Sequence, residues 1–186
     1  MGAEIINVCK EHLPSLRFIG KCYTDVDRGT DGGFGHKWRE WFQKGWFQQL
    51  EQLGVLQGIE NGYLGLMGCS DQANSFQYWI GVFLPEQTVV PEHFDYIDIP
   101  EGDVGICWIY GNSNNGELYG QEPHNRCMAK LQENQMGHFR DDFKGEAEKW
   151  WWFFERYNHP RFTSPDDQGK VILDYGMYLQ NSLGNE

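Results

Sequence analysis

Two carboxylates stand in surroundings that disfavour charge. Asp174 lies in a run that alternates like a strand, between Leu173 and Tyr175, and shares its face with Ile172 and Tyr178. Glu155 sits inside an aromatic block, after Phe153 and Phe154 and just before Tyr157. A charge taken from water is costly unless it is paired or used, so both are candidate functional acids. Desolvation in an aromatic wall raises a carboxyl pKa. Such a group can protonate a leaving group or activate water. It can also offset a cationic ligand, with neighbouring rings adding cation–π attraction of roughly 0.5–2 kcal/mol each. The ordinary alternatives are a backbone amide, Arg156 or Arg161 as partner for Asp174, and Arg156 or Lys149 as partner for Glu155.

The side chains expected to line a pocket around such an acid are Tyr63, Met67, Trp79, Phe83, Trp108, Tyr110 and Tyr178, with Tyr119 and Trp152 as further candidates. Other chemistries find no footing. The histidines show no H-x-x-x-H spacing, and His124-x-x-Cys127 is a pair without companions, so no metal is expected. Cys107 falls in an apolar strand, where a thiol is inert. No serine occupies a nucleophile elbow. The glycines of residues 25–35 lack the lysine of a phosphate-binding loop. No cofactor is expected.

Strands must hold these side chains. In residues 76–84, Phe76, Tyr78, Ile80, Val82 and Leu84 alternate with Gln77, Trp79, Gly81 and Phe83. Val104, Ile106, Trp108 and Tyr110 share one side of the next long strand, after the Pro100–Asp103 turn. Large apolar groups on both faces are not the pattern of a sheet with one wet face; one face should meet helices and the other should line something. Residues 15–24 read as the first strand, and those before Pro14 as a loose lead-in. Residues 25–35 read as a mobile glycine-rich loop. Residues 36–53 carry Trp38, Trp41, Phe42, Trp46, Leu50 and Leu53 at helical spacing, weakened at Gly45. Most of those rings are read as core, with one tryptophan free to reach the end of a pocket. Strands at 63–69 and 76–84, joined by a polar hairpin at 71–75, complete the first half. A strand at 103–111, a helix at 124–136, the aromatic block ending at Tyr157 and a closing strand at 170–180 repeat the plan. The expected class is α+β. Two strand–helix–strand–strand units, about 15–85 and 93–180, form a pseudo-two-fold pair within one domain spanning 1–186. Antiparallel sheets carry helices on one side, with a cleft between the halves.

The net charge of −12 argues against non-specific nucleic-acid binding, which needs lysine and arginine on phosphates, and suits neutral or cationic ligands. Aromatic residues make up 16% of the chain, eight of them tryptophan, more ring surface than a core requires. No apolar run is long enough to span a membrane. The N-terminus has charges where a signal peptide needs an apolar stretch. The five scattered cysteines read as reduced thiols of a cytoplasmic protein. No helix-turn-helix precedes the first strand, so direct regulation of transcription is not expected. The acidic pair Asp141-Asp142 reads as solvated surface, and oligomeric state is left open.

The runs Trp79-Ile80-Gly81, Ile99-Pro100-Glu101-Gly102 and Cys107-Trp108-Ile109-Tyr110 resemble the gyrase-inhibitor-like (GyrI-like) family. So do Phe154-Glu155-Arg156-Tyr157, Pro160-Arg161-Phe162-Thr163 and Leu173-Asp174-Tyr175. The likeness extends from Leu16 to Leu179. That family shares its fold with the effector-binding domains of multidrug-responsive transcription activators. The resemblance implies paired units with outer helices, a cleft, and a buried glutamate in the last strand that binds lipophilic cations. In some members that acid, with a Trp or Tyr, hydrolyses cyclopropane-bearing alkylating agents. Others bind a topoisomerase, a role that an exposed aromatic patch at 150–154 would favour here. The family's glutamate precedes an Ile-Tyr-Leu-like run. Here that run is Met177-Tyr178-Leu179, Gly176 stands in the place of the acid, and Asp174 lies two residues earlier on the same face.

Overall fold

The structure is a computed structural model and describes residues 2–70, 76–140 and 150–180. The polar hairpin at 71–75 and the acidic pair Asp141-Asp142 lie outside the described residues. The chain runs β1 (Glu4–Leu13), β2 (Leu16–Tyr23), α1 (Gly35–Lys44), α2 (Trp46–Glu51), β3 (Gly62–Ser70), β4 (Gln77–Pro85) and β5 (Asp95–Ile99). It continues through β6 (Gly102–Asn112), α3 (Gln121–Glu133), β7 (Trp150–Asn158) and β8 (Lys170–Tyr178). All eight strands join one antiparallel sheet in the order β1-β6-β8-β7-β3-β4-β2-β5.

That order reads outward from its centre as two matched halves. One unit is β2–helices–β3–β4 and the other is β6–α3–β7–β8. They abut through β3 and β7, and each has one extra strand on its outer edge, β5 beside β2 and β1 beside β6. The architecture is α+β, an open sheet rather than a barrel.

Two short links dictate the curvature. β1 and β2 are six strand spacings apart in the sheet, about 29 Å if it were flat. The chain between them is only Pro14 and Ser15, which bridges roughly 10 Å. β5 and β6 are joined across the sheet by Pro100 and Glu101 in the same way, and the two links meet where the Glu101 N–H donates to Ser15 Oγ at 3.2 Å. The sheet therefore curls until one of its faces closes on itself. Leu13, Val104, Ile106 and Tyr178 of one half pack with Leu16, Phe18, Phe83 and Ile99 of the other in a single buried cluster. On the opposite face, Trp41, Phe47 and Leu50 of α1 and α2 cover Ile19, Ile80 and Val82. Cys127 and Leu131 of α3 cover Cys107, Ile109 and Leu173.

Two expectations need correction. Residues before Pro14 are not a loose lead-in but the edge strand β1, paired along its length with β6. A bulge between Ile5 and Asn7 breaks its alternation, and Glu4, Lys10, Glu11 and His12 give it the charged character that blunts sheet edges. The long helix expected over 36–53 is two helices, divided at Gly45, which takes the left-handed conformation at φ 66°. Among the described residues, no helix is long and apolar enough to cross a membrane. Cys9, Cys22, Cys107 and Cys127 form no disulfide; the Cys69 side chain lies outside the described residues.

Candidate functional site

A cavity of about 1180 Å³ opens on the helix face, between α1 and α3, above the central strands of both halves. Strand parity decides what reaches it. Tyr63 and Met67 of β3, Tyr78 of β4, Phe153, Glu155 and Tyr157 of β7, and Tyr175 and Met177 of β8 all point to this side. Trp38 and Phe42 of α1 form one wall, and Pro123, His124 and Met128 of α3 the other.

Glu155 sits at the centre of the floor. It pairs directly with Gly65 on β3 and with Tyr175 on β8. Gly65 must lack a side chain: a Cβ there would lie 2.9 Å from the Tyr78 hydroxyl. Tyr157 donates to Glu155 Oε2 at 2.9 Å. Of the described residues lining the cavity, Glu155 is the one acid. Burial pushes its pKa up to about 7, against the opposing pull of the Tyr157 hydrogen bond. Burial also raises the phenol pKa values of Tyr78, Tyr119, Tyr157 and Tyr175. It lowers that of His124, whose Nδ1 meets the Tyr175 hydroxyl.

The walls are stacked rings. Phe34 lies parallel to Tyr78 with centroids 4.3 Å apart, and Trp38, whose Nε1 donates to Tyr78 Oη at 2.9 Å, meets Tyr157 at 4.7 Å. Phe153 contacts His124 at 4.6 Å and Tyr175 at 5.5 Å. The Arg28 guanidinium lies over Phe34 and Phe76, at 4.8 and 5.2 Å. The glycine-rich stretch at 25–35 is thus part of the wall. It is held by the Gly29 N–H to Gly33 carbonyl bond of 2.8 Å and by Arg28 Nη1 donating to the Gly32 carbonyl at 2.8 Å.

Of the side chains expected to line a pocket, Tyr63, Met67 and Tyr119 reach this cavity, as does the candidate acid Glu155. Trp79, Phe83, Trp108, Trp152, Asp174 and Tyr178 belong to the other face of the sheet. Tyr110 does too, and its hydroxyl donates to Asp166 at 2.6 Å near the surface. The aromatic patch expected at 150–154 is not exposed where its side chains are described: Trp152 and Phe154 are buried. The side chains of residues 150 and 151 lie outside the described set.

Asp174 does not face the cleft. It is fully buried on the self-packed face and pairs across the strands with Arg156. Arg156 Nε donates to Asp174 Oδ2 at 3.0 Å, and Arg161 Nη2 donates to the same oxygen at 2.7 Å. Arg156 also binds both oxygens of Glu11, at 2.8 and 3.1 Å, and the Glu60 carbonyl at 3.1 Å. Arg161 forks onto the Glu60 carboxylate while stacking 4.3 Å above Trp108, and that fork holds the Glu60 carboxyl below its ordinary value. Burial raises the Asp174 pKa and the two guanidiniums oppose the rise. Fully buried on that face and held by both arginines, Asp174 is shut off from a ligand in the cavity.

Gly176 explains why the acid is absent from its expected place. A Cβ there would lie 2.3 Å from Phe154 Cζ, because the Phe154 ring covers the strand where a side chain would rise. Phe154 is itself fully buried against Phe83 and Tyr178. Gly176→Ala is expected to destabilise the fold by about 1–3 kcal/mol through overpacking, read as a lower urea midpoint; an unchanged midpoint would mean that Phe154 can swing aside.

No protein-family model matches the chain, and no curated protein does. Solved structures share its architecture, three of them as follows. A candidate bacterial transcription regulation protein from Staphylococcus aureus aligns with TM-score 0.62 and 18% identity, over 94% of this chain and 99% of its own. The protein SAV2435, solved bound to tetraphenylphosphonium, aligns with TM-score 0.63 and 18% identity, over 95% of each chain. A hydrolase from Listeria innocua aligns with TM-score 0.50 and 8% identity, over 92% of this chain and 90% of its own. At these identities the likeness is one of fold.

Proposed function

We propose that this chain is a GyrI-like small-molecule-binding protein, one domain over residues 1–186, that takes amphipathic aromatic cations or neutral aromatics into the cavity on the helix face. The observation that carries the reading is Glu155, the one carboxyl among the described lining residues, at the centre of a ring-lined floor. A buried carboxylate with stacked aromatics around it attracts a cation by charge and by ring quadrupoles at once. The volume exceeds most single-ligand pockets and suits compounds with several rings. The fold shared with a protein solved around a lipophilic cation supports the same class of ligand.

The test is titration with tetraphenylphosphonium, read by tryptophan fluorescence, since Trp38 stands in the wall. Saturable quenching is expected. Glu155→Gln should weaken binding about thirty-fold or more, the loss of about 2 kcal/mol typical of removing one partner of a desolvated charge pair. No quenching and no thermal shift across a panel of lipophilic cations would overturn the reading.

A second reading uses the same group. A carboxyl that titrates near neutral pH beside a phenol can give a proton to a leaving group, which is the chemistry needed to hydrolyse reactive cyclopropane-bearing compounds. Turnover of such a compound that survives in Glu155→Gln would remove it.

A further inference from the structure

Resting on the binding function proposed above, we infer that the cavity exchanges a proton for its ligand: a cation enters as the Glu155 carboxyl gives up its proton to solvent, whereas a neutral ligand of similar shape enters without proton release. Below about pH 7 the floor of the cavity then carries no net charge whether empty or filled by a cation, which is the arrangement a ring-lined enclosure favours.

The geometry supplies the conditions. Glu155 faces no cation on either flanking strand: Gly65 on β3 has no side chain, and Tyr175 on β8 is a phenol engaged with His124. Its own strand offers Tyr157, which donates a hydrogen bond but carries no charge. From β4 comes Tyr78, and from the loop before α3 comes Tyr119, both held as phenols by burial. Helix α3 brings His124, whose charged form burial disfavours, and behind it Cys127, whose thiol pKa is raised first by its hydrogen bond with Cys107 and then by burial. Helix α1 brings Trp38, which does not titrate. Tyr63 is turned to Glu51, to which it donates at 2.8 Å. The one permanent cation among the described lining residues, Arg28, is already engaged: its Nε donates to Asp25 at 2.7 Å, and its side chain remains 37% exposed at the rim. Glu155 is therefore the group whose proton must leave when a positive charge arrives. The contrast with Asp174, equally acidic by type, lies in partners: Asp174 sits between two arginines.

Affinity for a permanent cation should then fall about tenfold for each pH unit below about 7, because only the deprotonated fraction is competent. Isothermal titration calorimetry with tetraphenylphosphonium at pH 6, in two buffers of different ionisation enthalpy, counts the protons. Close to one proton released per cation is expected. Triphenylphosphine oxide, a neutral aryl compound, should release none, and Glu155→Gln should release none with either. Tetraphenylphosphonium binding without proton release would overturn the inference while leaving the binding function standing. Release that persists in Glu155→Gln would also overturn it, by assigning the proton to another group. No tetraphenylphosphonium binding at all would overturn the binding function, and the exchange with it.

Discussion

Arg156→Met should lower stability by about 3–5 kcal/mol, among the largest effects any single substitution can have in this chain. Arg156 is fully buried and holds Asp174, Glu11 and the Glu60 carbonyl at once. Its loss leaves Asp174 with Arg161 alone and strands Glu11, a residue of the edge strand β1. The consequence reaches past one ion pair, because Arg156 is the pin between a central strand and the edge that the curl of the sheet brings over it. In urea, with a slope near 2 kcal/mol per molar for a small domain, the midpoint should fall by about 2 M. A drop of a few tenths would show that the cluster relaxes around the missing guanidinium. Replacing both partners, Arg156→Met with Asp174→Leu, should recover part of the loss, since two apolar groups avoid the uncompensated charge. Asp174→Asn should leave tetraphenylphosphonium affinity unchanged in the folded fraction. That separates the structural acid from the one in the cavity.

Alternation told which residues share a face, and it did so correctly over 76–84: Tyr78, Ile80, Val82 and Leu84 meet the helices while Trp79 and Phe83 lie opposite. It could not tell which face carries the cavity. Both faces are apolar for different reasons, one because the sheet curls onto itself and the other because helices and a cavity cover it. The curl follows from links of two residues between strands that are distant in the sheet, and strand order is not written in local periodicity. Trp79, Phe83, Trp108, Tyr178 and Asp174 were therefore placed by parity on a wall they do not form. A local signal did separate the two acids. Glu155 has Phe153 and Tyr157 at its i±2 positions, so its face is aromatic. Asp174 has Ile172 and Gly176 at its own i±2 positions, with Arg156 and Arg161 a short distance upstream as partners. Phe34 was legible only as part of a loop, and Trp38 as one of several helix rings of which one tryptophan could reach a pocket. They become wall residues because the glycine-rich stretch folds back and stacks Phe34 on Tyr78, a contact between segments more than forty residues apart. The edge strand β1 escaped notice because the charges that keep an edge from pairing also disguise it as loop.

Glu155→Gln should be more stable than the native chain at pH 8 and no more stable at pH 4. The carboxyl has an ordinary value of 4.5, the value it regains on unfolding, and burial pushes it up to about 7 in the fold. Between those values the folded chain holds a proton that the unfolded chain has released. Stability therefore falls as pH rises from about 4.5 to 7, and is level beyond, because the slope follows the difference in bound protons. The displacement from 4.5 to about 7 corresponds to at most roughly 3–4 kcal/mol. Glutamine carries no charge to bury and still accepts the Tyr157 hydrogen bond, so it escapes the penalty. Thermal melts of both chains from pH 4 to 8 should converge at the acid end and part steadily through pH 6, with the variant higher. Parallel curves would mean that Glu155 ionises as easily in the cavity as in water, and the electrostatic case for a cation there would fall with that result. A saturating permanent cation should reverse the order at pH 8, since only the native carboxylate has a charge for it to meet. The destabilisation is thus the same free energy that the ligand recovers, and the cost of keeping an acid with no cation beside it among the described residues of a ring-lined floor is the source of its selectivity for positive charge.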